Sequence, residues 1–154
     1  MQDWINLHPQ AVVAIGVLGF LAAWILIANL VALMSGWSQL AARFRLQGEF
    51  PGPKWSWQSA QMRWGANYNN CLTVGADQTG LFLHPMILFQ AGHPPLFVPW
   101  SETTFQRTRV FLVLMIELRL GRTEQVPFRI RPALAAKLEA AAGPSWPWSD
   151  APTN

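Results

Sequence analysis

From Ala11 to Met34 every residue is apolar, Gly or Ala, except Asn29. As a helix rising about 1.5 Å per residue, this run is about 36 Å long, against a bilayer hydrocarbon core of about 30 Å. The sequence therefore predicts one membrane-spanning helix over residues 11–34, followed by a small domain. Trp4 lies before the run and Trp37 just after it, and indole rings favour the headgroup boundary, where the ring is in apolar surroundings and the N–H reaches water. A secretory leader has a basic start and an apolar stretch of about 7–15 residues. This chain starts MQDWINLHPQ, without Lys or Arg, and its apolar run is longer. The expectation is a retained anchor.

No Lys or Arg occurs before Arg43, and Arg45, Lys54 and Arg63 follow it. Positive residues beside a span are held on the cytoplasmic side. Residues 1–10 are thus expected as an external tail and the domain in the cytoplasm, at the cytoplasmic (inner) membrane. Within the span, Gly16, Gly19 and Ala23 offer small side chains, and Gly19 and Ala23 have the four-residue spacing that lets two helices approach closely. Ala28 and Ala32 repeat it. This predicts packing against a second copy or another membrane protein. Asn29 is costly in hydrocarbon and should find a helix partner or lie near water.

Beyond the span, Trp37, Leu40, Ala41 and Phe44 fall at i, i+3, i+4 and i+7, one face of a helix. Residues 35–53 read as an amphipathic juxtamembrane helix, bent at Ser35 and Gly36, and a linker carrying Gly48, Pro51, Gly52 and Pro53. Two settings are open for that face. It can lie on the bilayer, with Trp37 and Phe44 in the interface and Arg43 and Arg45 near anionic headgroups, or it can pack on the domain.

Residues 54–143 read as the domain. Gln61–Trp64, Cys71–Val74, Gly80–His84, Leu96–Trp100, Thr104–Arg109, Leu112–Leu120 and Gln125–Arg131 look like strands, separated by breaks rich in Asn, Asp, Gly and Pro. Pro127 places the last at an edge or bulge. Pro132 suits a first helical turn, and 133–142 is rich in helix formers before Gly143 and Pro144. Residues 144–154 are expected to be irregular. The predicted class is α+β: an antiparallel sandwich or partly open barrel of about seven strands, with one C-terminal helix.

This order of elements, with GLFL in one strand, Val98, Pro99, Trp100, Ser101 and Glu102 closing another, and a helix from Pro132, resembles the pleckstrin-homology-like superfamily, particularly small bacterial membrane-anchored members. The resemblance covers about residues 57–142. It implies a scaffold that binds lipids, peptides or proteins. Phosphoinositide-binding members carry a basic strand-loop-strand motif near their start, where this chain has only Arg63.

Chemistry finds few residues to use. The net charge is +3, but charged residues make up 12% of the chain and the cations are scattered, with only Lys54 and Lys137 as lysines, so nucleic acid is a poor partner. Cys71 is the only cysteine, which excludes intrachain disulfides and a thiol-rich zinc site. His84, His93 and Glu102 share no ligand spacing, and no phosphate loop or nucleophile motif occurs. No cofactor or catalytic residue is called for.

The apolar stretch Val110–Ile116 is sharper. Alternation would place Leu112, Leu114, Ile116, Leu118 and Leu120 inside, leaving Phe111, Val113 and Met115 on a second face that needs a cover. The function expected is a non-enzymatic membrane-anchored adaptor holding a protein partner. The alternatives are a structural accessory subunit of a large bioenergetic membrane complex, without a span His to ligate haem, or a lipid- or ligand-sensing domain.

Overall fold

A computed structural model of the chain describes residues 2–110 and 112–147, apart from the side chains of residues 4, 5, 7, 107 and 110. Three helices come first: α1 (Gln2–Leu7), α2 (Pro9–Ser35) and α3 (Trp37–Phe44). The segment expected as a tail is thus helical over Gln2–Leu7. Pro9 opens α2, where its missing N–H costs nothing. Gly36 ends it at φ +92°, and a Cβ there would lie 2.7 and 2.8 Å from the methyl carbons of Val126. Conformation and space both demand glycine, and the chain turns there into α3. Among the described residues α2 is the one helix long and apolar enough to cross a membrane.

The turn settles where the amphipathic face goes. Trp37, Leu40 and Phe44 are buried in the domain core, and α3 touches the fourth strand of the sheet. Trp37 and Phe44, candidates for the bilayer interface in one of the two settings, are core residues, as the other setting has it. The reason is geometric: the bend directs their side chains onto the sheet, which offers more apolar contact than a half-wet headgroup layer.

Seven strands follow: β1 (Lys54–Gln61), β2 (Asn67–Ala76), β3 (Gly80–Pro85), β4 (Leu96–Pro99), β5 (Thr103–Val110), β6 (Val113–Leu120) and β7 (Val126–Ile130). They form one antiparallel sheet in the order β4-β3-β2-β1-β7-β6-β5. It is two meanders, β1–β4 and β5–β7, joined where β1 meets β7 at the single pair Gln61↔Arg129. β1 is bent by register shifts on both sides of Gln58, with Trp57 at φ +59°. Asp77 Oδ1 accepts hydrogen bonds from Thr79 N and Gly80 N at 2.7 and 3.0 Å, fixing the β2–β3 turn. A final helix, α4 (Pro132–Ala142), touches both β2 and β6. Its buried residues Leu134, Ala135, Leu138 and Ala142 tie the two meanders over one core.

Inward alternation is plain in β6, where Ile116, Leu118 and Leu120 are buried. β1 runs from Lys54, not Gln61, and Arg63–Gly65 is a 3₁₀ turn rather than strand. Pro127 lies in an interior strand, yet counting from Gln61↔Arg129 its opposite number is Arg63, where β1 has already ended. Its missing donor is therefore not needed on that side. The tail residues Gly143–Ser145 form a 3₁₀ turn, and Trp146 packs on Trp100 at 5.3 Å between ring centroids; 148–154 lie outside the described residues.

Candidate functional site

The end of α2 is built into the domain. Ala28, Ala32 and Ser35 lie at i, i+4 and i+7, one helix face, and all three are buried. The repeat of small residues that the sequence offers to another helix is, at this end, used by the chain's own sheet. On β2, Tyr68 places its Oη 2.9 Å from Ser35 Oγ and 2.8 Å from His93 Nε2. His93 Nδ1 lies 2.9 Å from the Ala91 carbonyl, which can only accept. Nδ1 therefore carries the ring proton and Nε2 is an acceptor, so the single hydroxyl proton of Tyr68 has two acceptors within reach, Ser35 Oγ and His93 Nε2. Trp37 covers the group, its ring 5.8 Å from Tyr68 and 5.1 Å from His93, with Nε1 donating to the Pro94 carbonyl at 2.9 Å. Helix α2, β2 and the β3–β4 loop thus meet in a buried, hydrogen-bonded polar cluster.

Burial pushes the Tyr68 pKa up to about 12, with the Ser35 hydrogen bond pulling the other way. Burial lowers that of His93, opposed by the Ala91 hydrogen bond. Both side chains are neutral near pH 7, which suits a structural joint rather than proton transfer. The consequence for stability has a definite sign. His93 titrates lower in the folded chain than the usual value of about 6.5, so its contribution is complete above that pH. It falls as the pH drops below about 6.5, where only the unfolded chain gains the proton. The melting temperature of the detergent-solubilised protein should fall more between pH 7.5 and 5 than that of His93→Gln; parallel curves would contradict the assignment.

Beside this cluster is a cavity of about 320 Å³ between α2 and β2, lined by Trp24, Ile27, Ala28, Val31, Cys71 and Phe89 among others. The Cys71 thiol is buried and its pKa is raised by that burial, which disfavours the thiolate that a nucleophile would need.

A second surface lies at the β5–β6 hairpin, which closes with Val110 opposite Val113. Leu112 is 92%, Val113 56% and Leu114 46% exposed. Leu112 and Leu114, expected inside, are corrected to exposed. β7 pairs with β6 only from Ile116 to Leu120, so the hairpin end projects beyond its neighbour and alternation has no core beneath it. Val113 and Met115 line a cleft of about 270 Å³ with Ser59, Gln61, Asn69 and Arg131. Phe111 lies outside the described residues.

The other sequence candidates scatter. Gly16 and Gly19 have nothing within 4 Å of a would-be Cβ, and Ala23 is exposed, so that face of α2 is open in the single chain. Asn29 donates from Nδ2 to the Ile25 carbonyl at 2.8 Å and abuts Gly92, where a Cβ would lie 2.6 Å from Oδ1. Its neighbour is therefore the domain's own loop. Arg43 on α3, expected near headgroups, pairs with Glu124 at 3.1 Å in the β6–β7 turn and Glu102 at 3.5 Å in the turn before β5. Arg45 forms a backbone bridge to Leu96 at the edge strand β4. Trp4 belongs to α1, and its side chain lies outside the described set. His84 sits on β3 and the buried His93 in the β3–β4 loop, and among the described residues no group of three His, Cys, Asp or Glu side chains could hold a metal ion.

The Ser35–Tyr68–His93 cluster had no signature in the sequence, since its members are 33 and 25 residues apart. Comparison with protein-family models, with curated proteins and with solved structures gave no match.

Proposed function

We propose that this chain is a non-enzymatic, single-pass adaptor of the cytoplasmic membrane, in which α2 spans the bilayer with its N-terminus outside and a pleckstrin-homology-like domain holds a protein partner. The observation that carries it is the projecting hairpin end. Leu112, Val113 and Leu114 form a contiguous apolar tip beside a cleft and next to β5, one of the two outer strands of the sheet. Exposed apolar tips are costly in water and mark contact sites, and an outer strand offers main-chain groups for a partner to pair with. The orientation is supported by the positive residues, which all lie after the span. Two antiparallel meanders under one closing helix support the fold-family reading.

The test is quantitative recovery of co-purifying protein from mild-detergent extracts of native membranes, comparing the full chain with Leu112→Asp and Val113→Asp. Both side chains are exposed, so folding should change by less than about 0.5 kcal/mol. A discrete partner recovered with the wild type and lost with both variants is expected; a partner retained equally by all three would refute the hairpin as its site.

Ligand sensing has one observation in its favour, the apolar cavity between α2 and β2. It fits the hydrocarbon part of a lipid rather than a charged headgroup, and native mass spectrometry of the full chain released from mild detergent should then retain one lipid, lost on Ala28→Trp.

A further inference from the structure

We infer that the β3–β4 loop, residues Met86–Gln90 around the 3₁₀ turn Ile87–Phe89, is inserted into the hydrocarbon of the membrane beside α2, so that the domain grips the bilayer at a second point. The inference rests on the reading of α2 as a spanning helix. It begins with a length. Gln10, His8 and Asp3 bound the apolar run at its start, so the hydrocarbon begins at about Ala11. A core of about 30 Å, at about 1.5 Å per residue, then ends near Leu30. Tilting the helix would only move that limit further along the chain.

The domain meets α2 well before Leu30. Trp24 Nε1 donates to the Leu88 carbonyl at 2.8 Å, and the Trp24 and Phe89 rings are 5.5 Å apart. Trp24 lies six residues, or about 9 Å, inside the limit. A loop bonded to it is therefore at hydrocarbon depth, because the helix free of the domain, residues 9–23, is only about 22 Å long and too short to span alone.

The loop has the chemistry this requires. From Gln78 to Ser101 the sequence has no Asp, Glu, Lys or Arg. Ile87 and Leu88, 81% and 69% exposed, are the outward side chains of the turn, large and apolar. Irregular backbone survives in hydrocarbon only where its polar groups are satisfied within the protein. The Leu88 carbonyl takes the Trp24 indole proton, Met86 N donates to the Cys71 carbonyl at 2.7 Å, and Phe89 N donates to the Met86 carbonyl at 2.8 Å. Asn29, next along α2, packs against Gly92 where the loop leaves, near the calculated boundary and so within reach of water.

The test is nitroxide depth measurement on the full chain in phosphatidylcholine–phosphatidylglycerol vesicles. Labels are placed singly at Ile87→Cys and Leu88→Cys in a Cys71→Ala background, with Phe20→Cys on α2 and Thr123→Cys in the exposed β6–β7 turn as references. Labels at 87 and 88 should resemble that at 20, colliding with dissolved oxygen and shielded from a water-soluble nickel chelate. If 20 is shielded but 87 and 88 collide with nickel as freely as 123, the loop is outside the bilayer and the inference falls while the anchor stands. If 20 is itself open to nickel, the spanning reading falls first and takes the inference with it.

Discussion

Trp37→Ala is expected to destabilise the full chain by about 3–5 kcal/mol, the usual cost of emptying a large buried aromatic site. A small domain has about 5–15 kcal/mol in total, so the variant should be close to unfolding. The size follows from position. Trp37 is fully buried, packs on Tyr68 and His93, and gives its indole proton to the Pro94 carbonyl. Trp37→Phe keeps most of the ring contact and loses the hydrogen bond, so it should cost about 1 kcal/mol plus a smaller cavity term. Thermal unfolding in detergent, followed by circular dichroism, measures both. Were α3 lying on the bilayer instead, Trp37→Ala would change the melting of the domain very little.

The second large effect is at the seam between the meanders. Glu117 on β6 is buried, with Arg129 Nε at 2.8 Å and Arg119 Nε at 3.1 Å. Arg129 also donates to Gln61 Oε1 at 3.3 Å, and Gln61↔Arg129 is the one register pair between β1 and β7. Arg129→Met removes one cation from a carboxylate that water cannot reach and should cost about 3 kcal/mol, near the lower end for breaking a buried pair because Arg119 remains. Glu117→Leu should cost less, since both arginines are partly exposed and can hydrate. The double variant Glu117→Leu/Arg129→Met should recover much of the loss, as apolar replacement of both partners often does. Additive losses in the double variant would contradict this account of the seam.

What the sequence made legible was whatever repeats with a short period. Twenty-four residues in a row that are apolar, Gly or Ala but for Asn29 identify α2, a short apolar run between turn residues finds β3, alternation finds β6 and β7, and the Pro132 start and alanine-rich stretch locate α4 to within a residue. β1 was not seen before Gln61 because Trp57 at φ +59° and register shifts on both sides of Gln58 break its two-residue pattern, and its burial follows none. Phe50, Phe44, Leu40, Trp37 and Ala32 are all buried, so packing against the sheet reaches back along the chain before residue 54. No local pattern distinguishes an amphipathic helix that covers a sheet from one that covers a bilayer, because both need one apolar face.

The candidate sites divide in the same way. Val113 and Met115 could be found because alternation in a long apolar run leaves a second face. Leu112 and Leu114 were misplaced because exposure there depends on where β7 stops, a fact of pairing and not of composition. The polar cluster of Ser35, Tyr68 and His93, and the bond from Trp24 to Leu88, join residues 25 to 64 positions apart and have no local trace.

In the proposed function an anchored domain presents its β5–β6 hairpin to a protein. Site-specific photocrosslinking in native membranes tests it most directly, with a photoreactive side chain placed in turn at Leu112, Val113 and, as a reference on another exposed turn, Thr123. A discrete protein adduct of the same mass is expected from 112 and 113 and none from 123. Adducts to lipid alone at 112 and 113, or the same protein bands from all three positions, would contradict it.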